Sequence, residues 1–340
     1  MATILTIPTE ILSSILQLAC DADIPNELLT RQPLGFILGR VCKSFLKISQ
    51  ADGLDIQYAY VRGVKRMRVF LKMLRRRSIY AKRVRSLMLA EASSNDTDKN
   101  TVANLVTEIL AVINPCDLRI LAVFDPEPFT DGFCQVITVS TTFPALTDLY
   151  LSAAFISAPS LDSNEAWAPN LQTMHVFRMM TPPEDLLAAL RRFAPNLKRL
   201  KLEVQANPIT AAQLAGPLAD FDNWQPTTDS FPAHMVQVVV GWYPCYLPLE
   251  SKDPEIERLA LSMTRSMRNG AATIADTLPI MEEDDTDDWN WEAQPVVCLP
   301  LKRHVSMDLY CPEEEQRFRE FTRKWEICTA GRKEWNCRAL

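Results

Sequence analysis

One pattern constrains this chain more than any other. A short segment, apolar-x-x-apolar-x-apolar, recurs six times. The segments are Val84-Leu87-Leu89, Leu118-Leu121-Val123, Leu146-Leu149-Leu151, Leu171-Met174-Val176, Leu197-Leu200-Leu202 and Ile256-Leu259-Leu261. Their first residues lie 34, 28, 25, 26 and 59 positions apart. Three follow a proline turn: Phe143-Pro144-Ala145, Ala168-Pro169-Asn170 and Ala194-Pro195-Asn196. Amphipathic helical stretches lie between, notably Val102 to Ile113 and Glu184 to Phe193, the latter with Leu186, Leu187, Leu190 and Phe193 on one face. Alternate residues of a strand share a face, so each segment predicts a strand with one apolar side. A single strand and its return helix cannot bury that side alone, and such units must stack. In the long interval from 202 to 256, the apolar run Met235 to Val240 can hold a degenerate unit.

The residues between the apolar ones point to the opposite, concave side. They are Met88, Ile120, Ala122, Phe124, Asp148, Tyr150, Thr173, His175, Phe177, Arg199, Lys201 and Glu203. Phe124, Tyr150, His175 and Phe177 make an aromatic patch there, ending in the charges of Arg199 and Lys201. Aromatics and Arg are favoured anchors for protein partners, so these six are candidate target-binding residues. Burial under a neighbouring loop is the alternative.

Ahead of the array, Pro8 opens a helix whose apolar residues recur at Ile11, Leu12, Ile15 and Leu16 and which runs to about Cys20. Pro at the first helical position costs no hydrogen bond, and Glu10 suits the first turn. Asp21 to Pro33 reads as a loop, and a second helix is predicted from Leu34 to Gln50. Residues 64 to 77 form a third, with Val64, Met67, Leu71 and Leu74 in one stripe and basic residues opposite. Beyond the array, Glu282 to Asp288 is an acid run beside Trp289 and Trp291. Val296 to Leu301 reads as a strand. Glu313 to Cys328 reads as a helix with Phe318, Phe321 and Trp325 on one stripe, a natural cap for the open end.

The net charge is −6, but Arg62 to Arg85 holds 11 Lys or Arg and no acid, so the remainder carries −17. The basic segment has three readings: a solvated helix face, a nuclear-import or nucleic-acid patch centred on Arg75-Arg76-Arg77, and a partner for the acid run. Scarce aromatics (Phe70 and Tyr80) and the acidic remainder argue against nucleic acid. Nine glycines against 23 prolines disfavour phosphate-cradling loops. The nine cysteines are scattered, with no Cys-x-x-Cys pair, and read as reduced thiols. The first 20 residues lack a basic leader, which argues against a secretory signal, and no apolar run is long enough to span a bilayer. The three histidines, 175, 234 and 304, share no acid or thiol motif. No metal spacing, Gly-x-Ser-x-Gly or glycine-rich phosphate loop is present. The expectation is therefore no catalytic residue, no metal, no cofactor and no membrane, in the cytoplasm or nucleus.

The strand–helix pattern over residues 82 to 265 resembles the leucine-rich repeat, although no unit carries the Asn or Cys that the family places three residues beyond the second strand leucine. The N-terminal pair, Ile7-Pro8-Thr9-Glu10-Ile11-Leu12-Ser13-Ser14-Ile15-Leu16 and then Val41-Cys42-Lys43-Ser44-Phe45, resembles the F-box, with a longer linker and with Phe45 where the family commonly has Trp. The whole layout is similar to that of divergent fungal F-box-like proteins. The resemblance implies an α/β chain: an F-box-like helical module (1–50), a basic linker helix (51–81), an irregular leucine-rich-repeat solenoid (82–269), an acidic loop (270–294) and a C-terminal strand and capping helix (295–340). It also implies a non-catalytic substrate-recognition subunit of a Skp–cullin–F-box ubiquitin ligase. Ile7, Pro8, Ile11, Leu12, Ile15, Leu16, Val41, Cys42 and Phe45 would bind a Skp-type adaptor, and through it a cullin. The repeats would hold a target protein. The alternatives are a repeat scaffold with no ligase link, whose first helices merely cap the array, and, more weakly, a hydrolase or transferase without a visible motif.

Overall fold

The computed structural model describes residues 7–22, 34–91, 99–124, 135–152, 154–157, 166–179, 186–205, 214, 231–243, 296–298 and 312–329. The sixth repeat segment and the acid run lie outside them. The chain is mixed α/β. Three helices come first: α1 (Thr9–Ala22), α2 (Leu34–Gly39) and α3 (Lys43–Ala51). Then follow β1 (Tyr58–Arg62), α4 (Val64–Arg75), β2 (Ser86–Ala90), α5 (Lys99–Val112), β3 (Ile120–Phe124), β4 (Gln135–Thr138), β5 (Asp148–Ser152), β6 (Ala154–Ser157) and β7 (Thr173–Met179). The remaining elements are α6 (Leu186–Phe193), β8 (Arg199–Gln205), β9 (Gln237–Tyr243), β10 (Val296–Cys298) and α7 (Pro312–Thr329).

Eight strands form one sheet in the order β1-β2-β3-β5-β7-β8-β9-β10, while β4 and β6 pair separately. Every neighbouring pair in the large sheet is parallel. Strand order therefore follows chain order. Parallel neighbours need a crossover, and both faces are usually covered. Here α4, α5 and α6 pack on one face, and α7 lies across the other.

The apolar triplets do what their spacing predicts. Leu87 and Leu89, Leu121 and Val123, Leu149 and Leu151, Met174 and Val176, and Leu200 and Leu202 all join the core beneath the helices. The first residue of each triplet, Val84, Leu118, Leu146, Leu171 and Leu197, is buried in the approach to its strand. Two further units have the same form. Met235-Val238-Val240 on β9 is the degenerate unit the sequence allows for, and Ile56-Ala59-Val61 on β1 is one that sequence reading missed. Ala59 is too small to register as a strand signal; its partners across the sheet make it one.

A backbone ladder holds the units in register. The carbonyl of Gln57 accepts from the N–H groups of both Arg85 and Ser86. The carbonyls of Arg85, Arg119, Thr147, Gln172 and Lys198 each do the same for the next strand, at 2.8–3.1 Å. The proline turns add a second ladder: Asn170 Nδ2 donates to Pro144 O and Asn196 Nδ2 to Pro169 O, both at 2.7 Å. These two turn residues satisfy backbone carbonyls of the preceding turns.

Three boundaries differ from the sequence reading. The segment 51–81 holds the helix α4 but also β1, which joins the sheet, so it is more than a linker helix. The single helix expected over 34–50 is two. Gly39 ends α2, and Cys42, extended at φ −157°, caps α3 by accepting the Phe45 N–H on its sulfur. Helix α7 does not close the end of the array; it covers the sheet face.

Candidate functional site: the N-terminal module and the sheet face

Helices α1 to α3 close a small core of their own. Leu12, Leu16, Cys20, Phe45, Ile48 and Leu54 are buried together, with Ile7, Leu34, Leu38 and Cys42 packed against them. Gly35 lets α2 lie against the turn at Leu54; a Cβ there would overlap the Leu54 carbonyl. The buried Ser49 hydroxyl donates to Gly35 O at 2.7 Å, and Ser13 on α1 hydrogen-bonds Asp52 after α3. The segment that follows the module is held against the end of α4 and the turn after it by two devices. Gly53 adopts φ +69°, and a side chain there would stand 2.8 Å from Ala81 O. Asp55 receives both terminal nitrogens of Arg77, at 2.7 and 2.6 Å.

The expected adaptor-binding residues divide into two groups. Leu12, Leu16 and Phe45 are core, and Ile7 and Cys42 are partly buried against it. Pro8, Ile11, Ile15 and Val41 are exposed. Ile11, Ile15 and Leu18 stand at i, i+4 and i+7 on α1, at 54%, 46% and 70% exposure. Phe36, Ile37 and Leu46 are exposed as well, three residues that sequence reading did not single out. Seven of the eleven large apolar side chains exposed among the described residues thus belong to this module. Single exposed apolar residues need no explanation, but a concentration of them marks an interaction surface.

The concave face is different. Strand register puts Met88, Ala122, Tyr150, His175 and Lys201 in one row, as the alternation predicts. The expectation of an open docking patch is not met. Phe124, Tyr150, His175, Phe177 and Lys201 are all buried, and of the six candidates only Arg199 is partly exposed. Phe318, Phe321 and Trp325 of α7 insert among Met88, Ala90, Ile120, Ala122, Phe124, Tyr150 and Phe177. Phe321 stands edge-on to Phe177 at 5.0 Å, and Arg62 lies over the Phe318 ring at 4.1 Å. The aromatic stripe of α7 and the aromatic row of the sheet satisfy each other.

Polar groups at the border of this contact are perturbed. Burial pushes the Tyr150 phenol well above its usual value, with help from Cys328 and Asp148. Burial also holds His175 well below the usual imidazole range, and the Lys201 and Lys324 charges add to the shift. Its ring stacks on Phe177 at 3.5 Å, and Nε2 stands 3.4 Å from Glu203 without forming a hydrogen bond. His175 is therefore neutral and packed.

Among the described residues, no group of three His, Cys, Asp or Glu could hold a metal, and no helix is long and apolar enough to cross a membrane. The basic segment is partly neutralised from nearby: Arg75 pairs with Glu108, Arg77 with Asp55 and Arg83 with Asp117. The fold and the site together define a mixed α/β chain, with a parallel sheet between helices and a helical module that keeps apolar side chains at its surface. Comparison with family models, curated proteins and solved structures finds no match.

Proposed function

We propose that this chain is a substrate-recruiting subunit of a Skp–cullin–F-box type ubiquitin ligase, built as an F-box-like module on an irregular leucine-rich-repeat solenoid. The observation that carries this reading is the apolar surface of α1 to α3. Ile11, Ile15 and Val41 stay exposed after the module has closed its own core. Each exposed Ile or Val buried in a complex is worth about 1.5–3 kcal/mol. The Skp-type adaptor is the proposed partner for that surface, and a cullin follows through the adaptor. Strand order that follows chain order, together with the repeated carbonyl ladder, supports the solenoid reading. The chain itself does no bond chemistry in this scheme. It holds a target protein close to a ubiquitin-carrying enzyme, and proximity raises the transfer rate.

The test is a pull-down with a purified Skp-type adaptor. Ile11→Asp places an unpaired charge in the interface while sparing the module core, and binding should be lost with the far-ultraviolet spectrum unchanged. Retained binding overturns the adaptor reading. Leu12→Asp is not the clean variant, since Leu12 belongs to the core.

A scaffold without a ligase link is the second reading. The seating of the module through Gly53 and the Asp55–Arg77 pair favours it, because an end cap needs such anchors. Limited proteolysis separates the two. A cut near residue 51 that leaves a stable remainder favours the adaptor module, and collapse of the remainder favours the cap.

A further inference from the structure

We propose that the groove between α4 and α5 is a docking site for an acidic peptide segment of a protein partner. This goes beyond the adaptor reading and does not depend on it. The groove has a volume of about 490 Å³. Its apolar floor is Leu71 and Leu105, and its rim carries Arg68, Lys72, Arg75 and Arg76. Lys65, Arg68 and Lys72 on α4, with Arg76 at its C-cap, recur along one exposed stripe at helical spacing. Like charges at i,i+3 and i,i+4 destabilise a helix by a few tenths of a kcal/mol per pair. Among the described residues, none of these four side chains has a carboxylate partner or a hydrogen bond. The helix dipole favours Lys72 and Arg76 at the C-terminal end of α4, but no described carboxylate offsets the mutual repulsion along the stripe.

The groove also shows how it takes a carboxylate. Glu108, on the α5 wall, meets Arg75 at 2.6 Å with both side chains about half exposed. A ligand carboxylate arriving at Arg68, Lys72 or Arg76 finds the same chemistry, and among the described residues no carboxylate pairs with those three. An acidic peptide with interspersed apolar side chains fits floor and rim together. A nucleic-acid strand fits less well. Among the described residues, no aromatic side chain lines the groove for base stacking. The remainder of the chain, at −17, repels a long polyanion, whereas a short peptide stays within the ~8 Å screening distance of the stripe.

Fluorescence anisotropy of the full chain with a fluorescein-labelled peptide of alternating Glu and Leu, at about 0.15 M ionic strength, tests this. Saturable binding is expected. The double variant Arg68→Glu, Lys72→Glu should weaken it about tenfold or more. The same charge change at Lys43 and Lys47, exposed on α3, should leave it within about twofold. Glu108→Gln frees Arg75 and takes a negative charge off the groove wall, so it should tighten binding about threefold, which keeps the proposal testable if the double variant misfolds. Absence of saturable binding, equal weakening by the α3 variant, no response to Glu108→Gln, or tighter binding of an oligothymidylate of equal charge would each overturn it.

Discussion

The hydroxyl of Tyr150 on β5 lies 2.6 Å from the sulfur of Cys328 in the last turn of α7. One residue on, the Thr329 hydroxyl meets Ser86 on β2 at 2.7 Å, in a buried contact. These two contacts latch the end of α7 to the sheet, while Trp325, fully buried, anchors it one turn earlier. Trp325→Ala should therefore cost about 3–5 kcal/mol in urea unfolding. Cys328→Ala should cost about 1–3 kcal/mol, because it strands a buried phenol. The pair Tyr150→Phe, Cys328→Ala should recover part of that loss, since neither partner is then left unsatisfied. If Trp325→Ala unfolds at the same urea concentration as the parent chain, α7 is not held on the sheet in solution.

The same border makes stability depend on pH. His175 is held below the usual value of 6.5 by burial and then by Lys201 and Lys324, with Glu203 and Tyr150 the other titratable groups beside it. Below pH 6.5 the unfolded chain takes up a proton there that the folded chain refuses. Stability is complete above that pH and falls as pH drops, by at most about 1.4 kcal/mol per unit from one site. Tyr150 acts on the alkaline side. Its raised pKa keeps the folded phenol protonated, so stability falls as pH climbs past 10.0. Urea midpoints between about pH 5 and 7 should show the acid slope in the parent chain and a flatter one in His175→Gln. Equal slopes would mean that His175 titrates alike in the folded and unfolded chains, so that burial does not hold it down.

Two arginines two positions apart on the basic segment should behave very differently. Arg77 forms both bonds to Asp55 at 11% and 15% side-chain exposure, whereas Arg75 and Glu108 are exposed at 58% and 46%. Arg77→Ala should cost about 1.5–3 kcal/mol and Arg75→Ala about 0–1. Arg77→Lys should restore little, because an ammonium cannot copy the two-pronged geometry. Thermal melts at low and high salt would check this, with Arg77 the less salt-sensitive of the two.

Gly35 reverses the usual rule for helices. Ala in place of Gly inside a helix normally stabilises by about 0.5–1 kcal/mol. Here the added methyl meets the Leu54 carbonyl, so Gly35→Ala should destabilise the module. Proteolysis of α1 to α3 should quicken while the sheet stays resistant. Unchanged digestion would show that the module has room to give.

Much of the sheet was legible in the chain. The triplet spacing located β2, β3, β5, β7 and β8, and alternation assigned both of their faces correctly. β1 was missed because Ala59 is too weak a signal, and the break between α2 and α3 because Gly39 and Cys42 cap ends that an apolar count ignores. The candidate site was half legible. Periodicity found the greasy stripe of α1, yet it treated Leu12 and Ile11 alike, although one is core and the other surface.

Local period is a property of neighbouring residues: a two-residue repeat makes a one-sided strand wherever it occurs. That is why the positions and inward sides of β2, β3, β5, β7 and β8 could be read from the order of amino acids alone. Which apolar side finds a cover depends on segments far away in the chain. Cys328 reaches Tyr150 across 178 positions, and no local pattern encodes that meeting. Folding thus closed the aromatic row beneath α7 and left the face of α1 to α3 open, and only the packed arrangement of the whole chain could assign those two fates.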